Sequence, residues 1–128
     1  MRSKAPYVFS LLVVWFSSAS AQGSPSKEDC MQTALTELEM ERCAARSLEA
    51  ADESLNTAYR SVISGLSPAQ SRGLRAAQRA WVTYRDLDCA SVRTGYGTGT
   101  GATLAGLSCL VRHTEDRTAQ LRDLYGLP

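Results

Sequence analysis

Apolar side chains recur at steps of three and four through most of the chain. Met40, Ala44, Leu48, Ala51, Leu55, Tyr59 and Val62 form one such stripe, which predicts a long helix with one face turned to a partner. A second stripe, Leu74, Ala77, Trp81, Tyr84 and Leu87 or Asp88, predicts another helix ending near Val92. A third, Leu104, Leu107, Val111, Thr114, Leu121 and Tyr125, predicts the last. No strand-like alternation of useful length and no internal repeat occurs, so the expected fold is all-α, a small helical bundle.

Local signals mark where these helices start and stop. Ser26 with Asp29 can cap a short first helix reaching about Ala34. Thr36-Glu37-Leu38-Glu39 fits a capping box, in which the Thr hydroxyl accepts from the backbone three residues on and the Glu reaches back. Gly65 is expected to stop that helix in a left-handed conformation, and Ser67-Pro68-Ala69-Gln70 restarts the chain at once with a cap, a first-turn Pro and a Gln at the third position. So short a turn makes the second and third helices an antiparallel hairpin. Gly95-Tyr96-Gly97-Thr98-Gly99-Thr100-Gly101 then interrupts helix formation, Thr103 is the expected cap of the last helix, and Gly126 and Pro128 close it.

The first residues follow a different rule. Arg2 and Lys4 precede an apolar run from Tyr7 to Phe16, and Ala19-Ser20-Ala21 makes a small-x-small cleavage site before Gln22. This is the pattern of a secretory signal peptide, since the run reaches only about half the ~20 residues a spanning helix needs. The expected organisation is a signal peptide over residues 1–21, a flexible leader over 22–26 and a helical domain over 27–128. No Cys stands directly after the cleavage site, so a soluble periplasmic or secreted form without a stable membrane anchor is expected.

Composition adds to this picture. The 128 residues carry 14 Lys+Arg and 13 Asp+Glu, and removing Arg2 and Lys4 with the signal leaves 12 basic against 13 acidic residues. A near-neutral domain has no general field for nucleic acid or anionic lipid, so neither is an expected partner. Cys30, Cys43, Cys89 and Cys109 all fall in the exported part, where oxidation to two disulfides is the natural supplement to a small core. All four lie towards one end of the hairpin. Sequential pairing, Cys30–Cys43 with Cys89–Cys109, is preferred, and the crossed pairing Cys43–Cys89 with Cys30–Cys109 remains open. A single His and no Cys-x-x-Cys pair leave no spacing typical of zinc, so no metal and no cofactor are expected.

Three polar groups carry the candidate chemistry. Asp52, Asn56 and Tyr59 share a stripe of the second helix, and Gln78, Trp81, Tyr84, Arg85 and Asp86 recur at the facing level of the third. They read as a hydrogen-bonded network that fixes helix register, or as a polar binding site. Asp52 and Asp86 could pair as catalytic carboxylates, but Arg85 beside them favours an ion pair. His113 has no nucleophile at a recognisable spacing, so no catalytic set can be named and a non-catalytic protein is expected. The Gly-rich stretch lacks the Gly-Lys-Ser/Thr ending of a phosphate loop; as a recognition loop it could present Arg93, Tyr96, Thr98 and Thr100.

The pattern Asp52-x-x-Leu55-Asn56-x-x-Tyr59, then Gln78-x-x-Trp81-x-x-Tyr84-Arg85-Asp86-x-x-Cys89, with Cys109-Leu110, Thr114-Glu115 and Arg117 through Leu121, resembles the LprI-like lysozyme-inhibitor family across nearly all of the domain. The resemblance implies an exported helical domain with paired cysteines that inhibits lysozyme. Together with the composition of the Gly-rich loop it leads to the expectation of a lysozyme-like muramidase as partner, its cleft blocked by that loop with Arg93 and Tyr96. The family's namesake type is a lipoprotein, from which this sequence departs in having no lipid-bearing Cys after the signal. A cell-envelope interaction module for another protein or glycan is the alternative.

Overall fold

The structure, a computed structural model, describes residues 27–127; the predicted signal peptide, the leader, the Ser26 cap and Pro128 lie outside them. Four helices follow in order: α1 (Lys27–Thr33), α2 (Glu37–Ser64), α3 (Pro68–Gly95) and α4 (Thr100–Tyr125). No strand occurs among the described residues.

Both capping boxes form. Thr36 Oγ1 accepts from the Glu39 backbone N–H at 3.2 Å, while Glu39 Oε2 accepts from the N–H groups of Leu35 and Thr36 at 2.8 and 3.0 Å. Those backbone donors, Leu35 first, hold the Glu39 carboxyl below its ordinary value. Ser67 and Gln70 repeat the arrangement at the start of α3, with Pro68 in the first turn. Gly65 stops α2 differently from expectation: its φ is −95°, right-handed, and its N–H returns to Val62. The next helix starts so soon that the chain has no room for a left-handed closure. Gly126 does take that form, with φ 67°, at the end of α4.

From the α2–α3 turn the two helices run antiparallel: Val62 and Leu74 meet in one cluster near the turn, and Asp52 meets Arg85 further out. α4 returns along both, packing most extensively on α2 and next on α3, while α1 packs chiefly on α2. Small buried side chains let α2 and α4 lie close: Ala44, Ser47, Ala51 and Ala58 on one, Ala102, Gly106, Thr114 and Thr118 on the other.

The bundle therefore has three zones. At the turn end lies an apolar cluster of Leu55, Val62, Leu74 and Leu121, flanked by Tyr59, Ile63, Leu66, Trp81 and Leu127. At the opposite end sit the disulfides Cys30–Cys43 and Cys89–Cys109, in the sequential pairing. Between them small apolar residues such as Ala51 and Val111 are mixed with polar side chains, Thr114 and the mostly buried Arg85 among them.

That polar middle reflects a change in the facing side of α3. The inward residues are Ser71, Leu74, Gln78, Trp81, Arg85, Asp88 and Val92, whereas Ala77, Tyr84 and Leu87 of the predicted stripe face solvent. Both stripes have helical spacing, and the more polar one wins because α4 supplies its partners.

The last helix also begins earlier than expected. It starts at Thr100 behind Gly99, so Thr103 lies inside its first turn rather than capping it. On its predicted stripe Val111, Thr114 and Leu121 are buried, while Tyr125 is exposed. α3 in turn continues through Gly95. The crossover is thus only Tyr96, Gly97, Thr98 and Gly99, with Gly97 and Gly99 at φ 81° and 105°, which a side chain would resist.

Candidate functional site

Two surfaces gather the residues that carry chemistry. The first is a groove of about 430 Å³ between α2 and α3, walled by Asp52, Leu55, Asn56 and Tyr59 on one side and by Arg75, Gln78, Arg79, Trp81, Val82 and Arg85 on the other. A second depression of about 670 Å³ on the α2 side shares Asp52, Asn56 and Tyr59 with it.

Arg85 is the centre of this site. Its side chain is mostly buried, and its Nη1 donates to Asp52 Oδ1 at 3.3 Å and to Thr114 Oγ1 at 3.1 Å, while Nε donates to Asp86 Oδ1 at 2.9 Å. The guanidinium also lies 5.2 Å from the Trp81 ring centroid, with that of Arg117 at 6.0 Å. Arg117 Nε in turn donates to Gln78 Oε1 at 3.0 Å. Asp52 and Asp86 are therefore bridged by one cation, which is an ion-pair arrangement rather than a carboxylate dyad.

Of the predicted network, Asp52, Gln78, Trp81, Arg85 and Asp86 come together, and Asn56 and Tyr59 line the same groove. Tyr84 does not join them. It stands on the outer side of α3, 56% exposed, with its ring edge-on to His113 at 5.5 Å. His113 Nε2 is 2.8 Å from Asp88 Oδ2. Its ring also comes within 4.8 Å of the Cys89 and Cys109 sulfurs, but these are joined to each other.

The sequence reading missed Arg75, Arg79, Thr114 and Arg117 as site residues. The two α3 arginines had a visible signal, since residues 75, 78, 79, 82 and 85 recur at steps that share one face. Thr114 and Arg117 stand in the family-like pattern, but nothing in the sequence ties them to this groove, because their role depends on how α4 crosses behind it.

The second surface is the α3–α4 crossover. Tyr96 is 69% exposed at its start, and Thr98 lies beside it. Arg93 and Thr100 do not belong to this loop: Arg93 is in the last turn of α3 and Thr100 is the first residue of α4. The Arg93 stem packs over Gly106, where an added Cβ would come within 3.4 Å of it. Thr100 Oγ1 donates to the Glu37 carboxylate of α2. With Cys89–Cys109 behind it, the crossover is fixed on both sides. No described helix is long and apolar enough to cross a membrane.

These features define a small disulfide-stapled helical domain with a polar groove and a short, exposed crossover. The chain belongs to the lysozyme inhibitor LprI family, whose pattern it matches over residues 28–121. It is also 31% identical to the uncharacterized protein R02472 of Rhizobium meliloti (strain 1021) over 137 aligned positions, covering 97% of this chain and 96% of that protein. No solved structure matches the chain.

Proposed function

We propose that this protein is exported and inhibits a lysozyme-like muramidase without chemistry, by inserting its α3–α4 end into the enzyme's cleft. The reading rests on one observation above the family membership: a narrow loop projects Tyr96 into solvent while a disulfide and the Thr100–Glu37 bond hold its base. A pre-ordered loop loses little conformational freedom on docking, which favours affinity. Arg93, one turn before Tyr96, adds a cation for a cleft whose two carboxylates attract positive charge. The signal-peptide pattern over residues 1–21 and four cysteines consumed in two bridges support export to an oxidising compartment.

The experiment is a titration of lysozyme activity with the oxidised protein. Stoichiometric inhibition is expected, weakened on the order of ten-fold or more in Arg93→Ala/Tyr96→Ala, as for loss of an interface anchor. Lysozyme left fully active at micromolar excess of the protein would end the inhibitor reading. Full inhibition by the double variant would instead move the contact away from this loop.

A further inference from the structure

We propose that the groove between α2 and α3 is a separate binding site for an acidic sugar, a saccharide unit carrying a carboxylate. The crossover that would enter a cleft lies at one end of the bundle, whereas the groove is a concavity in its side that receives rather than inserts. Its volume, about 430 Å³, lies within the range of roughly 300–1,000 Å³ typical of small-ligand sites.

Charge selects an anion. Three arginines, Arg75, Arg79 and Arg85, line the groove against one lining carboxylate, Asp52; Arg85 is offset by Asp52 and by Asp86 behind it, so the positive charge in excess is that of Arg75 and Arg79. Arg75 and Arg79 form no ion pair among the described residues, and each is exposed. Arg85 is held in place by Asp52, Asp86, Thr114 and the Trp81 ring, while its Nη2 takes no part in those bonds. A guanidinium fixed in this way binds a carboxylate with little further loss of freedom.

The remaining groups select a hydroxyl-bearing ligand over a simple anion. An anion needs donors alone, but the groove also offers acceptors: the Asn56 amide, the Tyr59 hydroxyl and Asp52 Oδ2, none of which accepts or donates in the bonds described. Mixed donors and acceptors beside an aromatic ring suit ring hydroxyls and an acylamino group. Asp52, Asn56 and Tyr59 continue into the neighbouring depression, which leaves room for a second sugar unit.

The test is a backbone-amide NMR titration of the oxidised full-length protein with N-acetylmuramic acid, N-acetylglucosamine, lactate, inorganic phosphate and an oligoglutamate peptide. N-acetylmuramic acid has ring hydroxyls, an amide and one carboxylate; the second probe lacks the carboxylate and the third lacks the ring. Shifts at Asn56, Tyr59, Gln78 and the Trp81 indole are expected, with the acidic sugar binding about ten-fold tighter than any other probe. Arg75→Gln and Arg79→Gln, both at exposed positions, are expected to weaken it by a similar factor without changing thermal stability or lysozyme inhibition.

Equal affinity for lactate or phosphate would reduce the groove to a general anion site and overturn the proposal. Tighter binding of the peptide, or wild-type affinity in the arginine variants, would overturn it as well. Because those variants retain the crossover, the outcome is separable from that of the inhibition assay.

Discussion

Removing either disulfide deletes a cross-link of similar length, yet the two losses are expected to differ sharply. The bridged cysteines are 13 and 20 residues apart, and restricting the unfolded chain over such loops contributes about 3 kcal/mol each. That figure applies in full only if the native state stays intact when the bridge is absent. α1 packs chiefly on α2, so in Cys30→Ala/Cys43→Ala the seven-residue helix can detach while α2, α3 and α4 stay assembled. The loss is then capped by what docking of α1 contributes.

Cys89 and Cys109 instead join two helices of the main bundle and are both buried, at 3% and 2% exposed, whereas in the first pair only Cys43, at 4%, is. Alanine at both positions removes two buried sulfurs, each comparable to a methylene at about 1 kcal/mol, in addition to the cross-link. The sum is about 5 kcal/mol, on the order of the whole stability of a small domain. At roughly 4–8 °C per kcal/mol, the midpoint should fall by about 20 °C or more. Thermal melts followed by far-UV circular dichroism would measure this, with hydrogen exchange reporting α1. Equal midpoint losses in the two variants, or a larger loss in Cys30→Ala/Cys43→Ala, would refute this account of how the bridges divide the fold.

Three further outcomes are expected. Leu121→Ala, at the centre of the apolar cluster, should cost about 3 kcal/mol in chemical denaturation, and a loss under about 1 kcal/mol would mean the cluster is not the core. Gly101→Ala should gain about 0.5 kcal/mol, because the position is helical and open, while Gly97→Ala at φ 81° should lose about 1 kcal/mol; the same sign for both would contradict the crossover geometry. The Glu39 carboxyl is held below its ordinary value of 4.5, so its contribution is complete above that pH and disappears as pH falls through the lower folded-state value; Glu39→Gln should remove this part of the acid dependence, measured by stability against pH.

The capping boxes were legible because each is settled by four consecutive residues: Thr36 to Glu39, and Ser67 to Gln70. Spacing along the chain favoured the sequential disulfide pairing but left the crossed one open, and the fold carries the sequential pairs. The inward side of α3 was legible only in part, at Leu74, Trp81 and Asp88. Apolar content favours Ala77, Tyr84 and Leu87, and only Thr114 and Arg117, brought in by α4, make Arg85 and Gln78 the better interior residues. The crossover was overextended for a related reason. Gly95 and Gly101 are poor helix formers, yet packing of Arg93 on Gly106 and the Glu37 contact at Thr100 extend both helices to its edges. The groove itself had no sequence signature as a cavity, since its width depends on how α4 lies across α2 and α3.

Arg85 decides whether the groove is a strut or a site, because its bonds fit both roles and their energies do not. A buried ion pair that holds the fold costs about 3–5 kcal/mol when one partner is removed, through the charge left stranded. In Arg85→Met little is stranded. The Asp52 side chain is 44% exposed and that of Asp86 54%, so both carboxylates rehydrate. Thr114, although buried, keeps its hydroxyl bond to the Leu110 carbonyl at 2.7 Å. Methionine also retains much of the aliphatic stem, although it loses the guanidinium that lies over Trp81. The expected loss is therefore under about 2 kcal/mol, the order of a hydrogen bond to a charged group, accompanied by loss of acidic-sugar binding. A loss above about 4 kcal/mol in urea denaturation would make Arg85 a structural keystone. The polar middle of the bundle would then be there to fix helix register, with its concavity a by-product.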